Sequence, residues 1–330
     1  MVKLYVAWRS LPGRGIGSRA LVLSRMLGAK LFILAGAPPY IKQIVNTVRL
    51  IALYRPSMVM IELPQGPLLL LAVLLKFIYG FMLLADVHTG FIVYSSWKGY
   101  LLNKPFTPLL RFVDLIIVHN NPISKLLPRP LRVKTLVVYD PPRFTPQRED
   151  ESDYILLPVS WREDEPIEYI LEEFLNSNTP YKLIVTGDYN RRSIYEKFKN
   201  SGKIVFTGYV SETEYLNLLG KAKAVIVVSS REYTLTSSGW ETIYAQKIPI
   251  VSETKTLREL FKDSAIYFKI VKGGLAKALE TLCDPEISVQ LKHRVSKLRD
   301  NLLNDTINQL RTLMKLVNYM EQAETASLTR

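Results

Sequence analysis

The stretch of sequence that decides the fold is residues 204–252, IVFTGYVSETEYLNLLGKAKAVIVVSSREYTLTSSGWETIYAQKIPIVS. Short apolar runs alternate in it with segments whose apolar residues recur at helical spacing. The predicted strands are residues 204–207, 224–228 and 249–252, and the predicted helices are residues 212–219 and 239–246. Strands that alternate with helices in this way are typical of parallel sheets built from right-handed βαβ units.

The same alternation extends over the rest of the chain in two series. The first has predicted strands at residues 3–7, 30–34, 58–61, 81–85, 115–118 and 133–138, and predicted helices at 18–27, 40–54 and 68–79. The second adds strands at 154–159 and 182–186, helices at 167–175 and 193–200, and a mostly helical tail at 285–322. Between them, residues 140–152 (DPPRFTPQREDES) are proline-rich, charged and poor in apolar residues, which predicts an interdomain linker.

Two series joined by one linker predict an α/β protein of two Rossmann-like, doubly wound domains whose parallel sheets face each other across a cleft. The length of 330 residues also fits two domains of ordinary size. We predict a first domain at residues 1–145 and a second at residues 146–330. The last helix, about residues 300–322, is a candidate to pack back on the first domain.

The charge of the chain is unevenly distributed. The formal net charge is +13, but residues 1–145 hold 18 Lys and Arg against 4 Asp and Glu, while the remainder holds 25 against 26. Such asymmetry points to a polyanionic partner for the first domain, whether nucleic acid, anionic lipid headgroups or a phosphorylated acceptor. The alternative is a solvated basic face without a partner. The single cysteine, Cys283, excludes an intrachain disulfide and fits a packed residue in a reducing compartment.

One apolar segment, residues 67–84 (PLLLLAVLLKFIYGFMLL), is about as long as a bilayer span. Lys76 near its middle, Gly80 and the following Asp86 favour a buried helix and a buried strand instead. An apolar helix beside a basic surface also fits docking at a membrane interface. The start of the chain lacks the apolar core of a signal peptide. We therefore predict a cytoplasmic protein that is peripheral on the cytoplasmic face of the membrane.

Two loops at predicted strand ends of the first domain carry candidate site residues. Residues 13–18 (GRGIGS) place Gly15 and Gly17 where a backbone can approach a phosphate or sugar. Their spacing matches neither the dinucleotide fingerprint nor a Walker A loop, so a plain turn is the alternative. Asp86 and His88, in the segment DVHTG, offer proton transfer at a strand end, or merely cap the strand. The histidines and cysteine form no plausible zinc set, so we predict no metal and no cofactor.

The strand-end loops of the second domain are rich in hydroxyls and glycine. They comprise residues 160–162, 186–188 and 207–210 and the segment 229–241, SSREYTLTSSGWE. The last segment leads into a helix, and helix N-termini with nearby hydroxyls suit an anionic diphosphate. Glu232 and Glu241 would accept hydrogen bonds from sugar hydroxyls. The alternatives are a plain N-cap at Ser237 or Ser238 and a first-turn acid at Glu241.

Together these motifs resemble the nucleotide-sugar domain of GT-B glycosyltransferases of the large group-1, family 4 type. The resemblance covers roughly residues 154–261 in order. It rests on Gly208-Tyr209-Val210, on AVIVVSSREYTLTSSGWETIYAQKIPIV and on the later Leu257-Arg258-Glu259-Leu260. The first domain is also similar to mannosyltransferases that extend lipid-linked chitobiose. Three features depart from the pattern: eight residues instead of seven separate the glutamates, no lysine follows Arg162, and the turn before Pro249 lacks glycine.

The resemblance implies a metal-independent transfer of a sugar from a UDP- or GDP-sugar to a lipid-linked or membrane-associated acceptor, with electrostatic stabilisation of the leaving diphosphate and domain closure. It implies catalytic roles for His88, Asp86 and Glu232, with Asp86 as general base if the reaction inverts. The implied donor-binding residues are Gly15, Gly17, Arg162, Gly187, Gly208, Tyr209, Val210, Thr236, Ser237, Ser238, Gly239 and Glu241. The implied partners are the nucleotide sugar, an acceptor glycan or lipid-linked phosphate, and an anionic membrane. The competing hypothesis is a non-catalytic protein that binds nucleic acid or another polyanion on a degenerate transferase scaffold.

Overall fold

The computed structural model describes residues 2–9, 18–94, 96–142, 151–189 and 192–328. Its strands are β1 Lys3–Arg9, β2 Lys30–Ala35, β3 Met58–Leu63, β4 Met82–Val87, β5 Leu115–Val118, β6 Thr135–Val137, β7 Tyr154–Pro158, β8 Lys182–Thr186, β9 Ile204–Gly208, β10 Ala224–Val227, β11 Ile248–Ser252 and β12 Ile266–Phe268. Its helices are α1 Ser18–Met26, α2 Ile41–Tyr54, α3 Gly66–Tyr79, α4 Thr89–Ile92, α5 Trp97–Asn103, α6 Asn121–Leu126, α7 Arg129–Arg132, α8 Ile167–Asn176, α9 Arg192–Phe198, α10 Glu212–Lys221, α11 Ser237–Tyr244, α12 Lys255–Phe261, α13 Gly274–Cys283 and α14 Pro285–Leu328, with a 3₁₀-helix at Lys104–Phe112.

The chain divides into two compact units. The first unit comprises Met1–Arg143 and Leu303–Arg330, and the second comprises Phe144–Leu302. The long helix α14 therefore begins in the second unit and ends in the first. In the first unit Leu310, Leu313 and Val317 of this helix join the core beneath the sheet.

The first unit is built on a six-stranded sheet in the order β2-β1-β3-β4-β5-β6. Neighbouring strands are parallel, as the prediction from alternating strands and helices requires. The central strands β3 and β4 are almost continuous apolar runs, because helices cover both faces of such a sheet. The order reverses between β1 and β3, which places the topological switch point there.

The apolar segment at residues 67–84 forms a helix and a strand, as predicted. Helix α3 ends at Tyr79, and Gly80 closes it in the left-handed region at φ 70° before β4 begins. Lys76 does not interrupt the helix, because its ammonium donates to Asp114 at 2.6 Å and to the Phe112 carbonyl at 3.0 Å. Among the described residues, no helix combines the length and the apolar character that crossing a bilayer requires.

The second unit is built on a six-stranded parallel sheet in the order β12-β11-β10-β7-β8-β9. Its first strand, β7, pairs with β8 on one side and with β10 on the other. The switch point of this sheet therefore lies between β7 and β10. Helices α8 and α13 cover one face, where Ile170, Phe174 and Leu279 are fully buried in the core.

The structure corrects several predicted elements. The strand predicted at residues 133–138 is only the three-residue β6, because a short helix ends at Arg132 and Val133 is exposed in a turn. The sequence reading does not find α5, the 3₁₀-helix, α4, α6, α7, α12, α13 or β12. In the first two, residues 97–112 contain two prolines and no clear helical period, so the apolar pattern is weak there.

Candidate functional site

The candidate donor site lies at the carboxyl ends of the second unit's strands. Residues 159–166 follow β7 and residues 228–236 follow β10. These loops are neighbours because β7 and β10 pair in the sheet. Ligands of open α/β sheets bind in the crevice that such loops form at a switch point. The sheet order thus brings together Arg162 and the hydroxyl-rich segment, which lie far apart in the sequence.

A buried acid ties the two loops together. The Asp164 carboxylate accepts a hydrogen bond from the Ser229 hydroxyl at 2.8 Å, and the Asp164 carbonyl accepts from the Ser230 backbone N–H at 2.8 Å. Asp164 and Ser229 are both buried, so these bonds are shielded from water and hold the loops in one register. The sequence shows only that no lysine follows Arg162, and it assigns Asp164 no role. The structure shows that it fixes the geometry of the site.

The loop after β7 has an unusual backbone. Trp161 has φ 56°, a left-handed conformation that is rare for a bulky side chain. Its indole N–H is buried and has no hydrogen-bond partner among the described residues. The turn itself is stabilised by Glu165, which accepts from the backbone N–H of Ser160 at 2.9 Å, and burial raises the pKa of the Glu165 carboxyl. Arg162 is exposed beside it.

Gly187 follows β8 and allows the loop after β7 to approach the end of β8 closely. It has φ 105°, and a Cβ atom at this position would lie 2.1 Å from the Val159 carbonyl oxygen and 3.5 Å from Trp161 Nε1. No side chain fits there. Gly187 therefore makes room for the strained loop, whatever it contributes to a ligand.

Helix α11 begins at the predicted diphosphate position. Thr236 caps it by accepting from the Gly239 backbone N–H at 3.3 Å, and its hydroxyl lies 3.0 Å from that of Ser238. The N-cap is thus Thr236 and not Ser237 or Ser238, which are the first two residues of the helix. Ser237 is exposed. Backbone N–H groups and hydroxyls are accordingly gathered at a helix N-terminus, where an anion is favoured.

The two glutamates of the resemblance face different partners. The Glu232 carboxylate accepts from the backbone N–H groups of Lys255 at 3.0 Å and Thr256 at 3.2 Å, at the start of α12. Glu241 accepts from the Tyr215 hydroxyl at 2.6 Å. Burial, together with the Glu241 charge, raises the pKa of Tyr215 well above its ordinary value. Tyr215 is a partner that sequence reasoning does not find, since it lies on α10.

Aromatic side chains lie beside the turn after β9. Gly208 has φ 72°, and a Cβ atom there would lie 3.4 Å from the Tyr189 ring. Tyr189 stacks on Tyr195 with ring centroids 4.4 Å apart and planes within 9°. Tyr209 is 75% exposed, and Val210 is half-buried. The position of Tyr189 beside Gly208 is decided by the pairing of β8 with β9, and no spacing in the sequence signals it.

In the first unit, polar side chains cluster at the carboxyl end of β4. The Asp86 carboxylate accepts from Arg19 Nε at 2.9 and 3.0 Å and from the Tyr5 hydroxyl at 3.0 Å. Burial opposes the charged carboxylate, but Arg19 and His88 outweigh it and hold the pKa of Asp86 well below its ordinary value. Arg19 Nη1 also binds Asp140 at 3.0 Å. Sequence reasoning does not find Arg19 or Tyr5, because they precede Asp86 by 67 and 81 residues.

Two histidines at this edge have opposite electrostatic environments. His88 Nε2 lies 3.4 Å from Asp86 Oδ2, and about a third of its side chain is exposed. Burial disfavours its charged form, yet the Asp86 carboxylate outweighs this and raises the pKa of His88. His119 is buried, with Nε2 3.1 Å from the Thr89 hydroxyl, and burial lowers its pKa to about 4. The ring centroids are 5.8 Å apart, so two imidazoles whose pKa values are shifted in opposite directions lie side by side.

Gly15 and Gly17 lie outside the described residues. Within the described ranges, no three His, Cys, Asp or Glu side chains are grouped so that they could hold a metal ion. The remaining predicted residues fall into two groups. Those of the second unit lie at the ends of β7, β8, β9 and β10 or in α11, and Asp86 and His88 form the cluster of the first unit. The second-unit residues are Arg162, Gly187, Gly208, Tyr209, Val210, Glu232, Thr236, Ser237, Ser238, Gly239 and Glu241.

No protein-family model matches the chain, and no curated protein matches its sequence. Solved structures are similar over nearly the whole length. HepE of Anabaena, solved in complex with UDP and glucose, has a TM-score of 0.75 at 11% identity and covers 96% of this chain and 100% of its own. Sucrose-phosphate synthase of Thermosynechococcus elongatus has a TM-score of 0.74 at 13% identity, covering 97% and 100%. Trehalose 6-phosphate synthase of Burkholderia multivorans has a TM-score of 0.68 at 10% identity, covering 99% and 98%.

These likenesses define the class of fold. The chain has the α/β fold of GT-B glycosyltransferases, and the predicted fold class and the resemblance to that group are confirmed. The narrower similarity to chitobiose mannosyltransferases stays a prediction. At sequence identities near 11%, structural similarity establishes the fold but not the chemistry, which depends on the residues of the site.

Proposed function

We propose that this protein is a glycosyltransferase that uses a nucleoside-diphosphate sugar, UDP- or GDP-linked, bound by the second unit. One observation carries the proposal. At the switch point of the second sheet, the loop that leads from β10 into α11 adjoins the loop that bears Arg162, and the buried Asp164 joins the two loops. Backbone N–H groups, hydroxyls and a guanidinium are the donors that a diphosphate requires. HepE, which shares the fold, is solved with UDP-glucose.

The donor roles follow from these positions. Arg162 and residues 236–239 hold the diphosphate and stabilise its charge as it leaves. The backbone of residues 208–210, beside the Tyr189 ring, receives the base, and Gly187 keeps the floor of the site open. Glu241, oriented by Tyr215, accepts from the ribose hydroxyls. Glu232, oriented by the start of α12, accepts from the hydroxyls of the transferred sugar with its remaining lone pairs.

The first unit supplies His88 and the acceptor surface. His88 offers an N–H group to the transferred sugar, and the neighbouring Asp86 carboxylate favours the charged form of that imidazole and orients it. This role suits Asp86 better than that of general base, because its carboxylate is buried, bound to Arg19 and Tyr5, and held at a low pKa. The reaction needs no metal or cofactor in this proposal, so activity persists in the presence of EDTA.

The acceptor is a lipid-linked or membrane-associated glycan or phosphate. The support is the concentration of positive charge in residues 1–145 beside the apolar helix α3. We accordingly propose that the protein works in the cytoplasm, peripheral on the cytoplasmic face of the membrane. The competing function, polyanion binding without catalysis, would show as salt-sensitive binding to any DNA together with no turnover of a nucleotide sugar.

The decisive experiment is a thermal-shift screen with UDP-, GDP-, ADP- and TDP-sugars on wild type, Glu241→Ala and Glu280→Ala. Glu280 is an exposed acid on α13 and serves as the matched control. At a ligand concentration of about 100 times Kd, binding adds about 2.7 kcal/mol of stability. We expect one nucleotide class to raise the Tm of wild type and of Glu280→Ala but not of Glu241→Ala. If no nucleotide sugar shifts the Tm of wild type, the proposal is wrong.

A further inference from the structure

The acidic side chains of residues 1–145 all form ion pairs within the first unit. That segment contains only four acidic side chains, and each lies within ion-pair distance of a cation of the same unit. The pairs are Arg9–Glu62, Arg19–Asp86, Arg19–Asp140 and Lys76–Asp114. Three cations thus pair with four acids, and Lys3 pairs with Glu321 of α14, so most of the positive charge of the segment is not balanced within it.

Helix α3 leaves one apolar side uncovered. Leu68, Leu69 and Ala72 are fully buried. The exposed residues recur at intervals of three and four, which places them along one stripe of the helix. They are Leu70, Leu74, Phe77 and Ile78, and the last two are 68% and 73% exposed.

A second apolar stripe lies on the neighbouring helix α5. On α5, Trp97 is 69% exposed, and Tyr100 and Leu101 share its side of the helix. The last residue of α5 contacts the first residue of α3, and the end of the 3₁₀-helix contacts the last turn of α3. The Gly66 backbone N–H donates to Asn103 Oδ1 at 2.9 Å, and the Phe77 ring meets the Phe112 ring edge-on at 5.5 Å between centroids.

Exposed cations border these stripes. Lys98 follows Trp97, with its ammonium 5.8 Å from the indole centroid, and the Arg111 guanidinium lies 4.6 Å from the Phe112 ring. Lys104 begins the 3₁₀-helix and is exposed. We call this surface the amphipathic face. It consists of Leu74, Phe77, Ile78, Trp97, Tyr100 and Leu101 with Lys98, Lys104 and Arg111.

We propose that the amphipathic face docks the protein on an anionic lipid bilayer, with the aromatic and aliphatic side chains at the acyl boundary and the lysines and Arg111 among the headgroups. Tryptophan and tyrosine favour that boundary, because one end of each ring system is polar and the other apolar. Lysine and arginine contribute attraction to an anionic leaflet. The inference deepens the membrane part of the proposed function but does not depend on sugar transfer.

Charge complementarity selects the bilayer over other occupants. A nucleic acid would pair with Lys98, Lys104 and Arg111, but its phosphates offer nothing to Leu74, Phe77 and Ile78. A second copy of the same face would satisfy the apolar side chains, yet it would bring like charges together. An anionic membrane satisfies both sets of side chains at once.

The test is vesicle co-sedimentation without any nucleotide sugar, so that its failure and the failure of the transferase proposal remain distinguishable. The vesicles contain phosphatidylcholine alone or mixed with phosphatidylglycerol. We expect binding only to the mixed vesicles, weakened by salt. Phe77→Ser combined with Trp97→Ser, and separately Lys98→Glu combined with Lys104→Glu, should each weaken binding by about tenfold or more. Val289→Ser and Lys272→Glu, at exposed positions of the second unit, serve as matched controls and should bind as wild type does.

Tryptophan fluorescence supplies a second readout. Of the four tryptophans, Trp8 and Trp240 are buried and Trp161 is half-buried. Iodide quenching therefore reports mainly on Trp97, and mixed vesicles should protect it. Equal binding to both kinds of vesicle, or unchanged binding by both double variants, would overturn the proposal. If the protein does not bind vesicles but self-associates, and Trp97→Ser abolishes the self-association, the occupant of the amphipathic face is a second copy of the chain and not a bilayer.

Discussion

The guanidinium of Arg19 and the carboxylate of Asp86 form an ion pair in the interior of the first unit. Arg19 Nε lies 2.9 and 3.0 Å from the two carboxylate oxygens, and the two side chains are only 5% and 1% exposed. The pair joins α1 to the carboxyl end of β4 and sets the charge beside His88. Burying such an ion pair costs desolvation free energy. Removing only one partner therefore destabilises the protein more than replacing both, because the other charge is left buried without its counter-charge.

Asp86→Asn should strongly destabilise the first unit. The substitution leaves the Arg19 guanidinium buried without its carboxylate, which costs about 3–5 kcal/mol. Urea unfolding monitors the change. The control is Glu168→Gln, which breaks the half-exposed pair with Lys197 and should cost less than about 1 kcal/mol. Equal losses in both variants would show that the buried pair does not hold this region together.

His119 should make the protein less stable in mild acid. Its folded pKa of about 4 lies below the unfolded value, so between the two values the unfolded state binds more protons and stability falls as pH falls. Compared with His119→Gln, wild type should lose about 2 kcal/mol of unfolding free energy between pH 7 and pH 5. Parallel unfolding curves at the two pH values measure this difference.

His88 provides the matched comparison with the opposite sign. Because its folded pKa is raised, it contributes stability that is fully present below the unfolded pKa and is lost as pH rises through the folded pKa. Relative to His88→Gln, wild type should therefore be favoured at low pH. The same trend for both histidines would contradict the opposite environments described for them.

Gly187→Ala should be much more damaging than Gly202→Ala. Both glycines have positive φ, 105° and 69°, but only at Gly187 would the new Cβ meet another atom, the Val159 carbonyl oxygen at 2.1 Å. The left-handed conformation alone costs about 1–2 kcal/mol at Gly202, and the clash at Gly187 should raise the cost above about 3 kcal/mol. Thermal unfolding of the two variants compares them directly. Similar Tm values would mean that the loop after β7 can move away.

Glu232→Ala should weaken the binding of the transferred sugar more than the binding of the nucleotide. The substitution removes acceptors at the start of α12 and should cost about 1 kcal/mol of stability. If Glu232 also binds the transferred sugar, affinity for the nucleotide sugar should fall more than affinity for the bare nucleoside diphosphate. Isothermal titration with both ligands measures the ratio. Glu253→Ala, which breaks the nearby pair with Arg258, is the control and should leave the ratio unchanged. An unchanged ratio in Glu232→Ala would assign Glu232 to the fold alone.

Local patterns predict much of the fold. The strands at residues 115–118 and 182–186 have the predicted bounds, because each is a short β-rich run between polar turns. The strand β12 is not found, since three residues, Ile266–Phe268, carry too little pattern. Helix α5 and the 3₁₀-helix are not found either, because their contacts with α3 rather than their own periodicity decide their conformation.

Local patterns likewise predict only some of the residues of the candidate site. Asp86, His88 and the segment 229–241 are found because they lie at or directly after the ends of apolar strands, and strand ends are where parallel sheets place their ligands. Their partners are not found. Arg19, Asp164 and Tyr215 each lie on another element, brought close by packing between parts of the chain that are 67, 65 and 26 residues apart.

The sequence by itself determined that the chain alternates strands with helices in two series, that residues 67–84 form a helix and a strand, and that positive charge is concentrated in residues 1–145. These properties depend on neighbouring residues, since the period of apolar side chains sets local structure. Only the tertiary structure decided that β7 lies beside β10, that Asp164 joins their loops, and that Arg19 neutralises Asp86. Strand order decides which ends meet, and it arises from the burial of whole faces rather than from any local spacing.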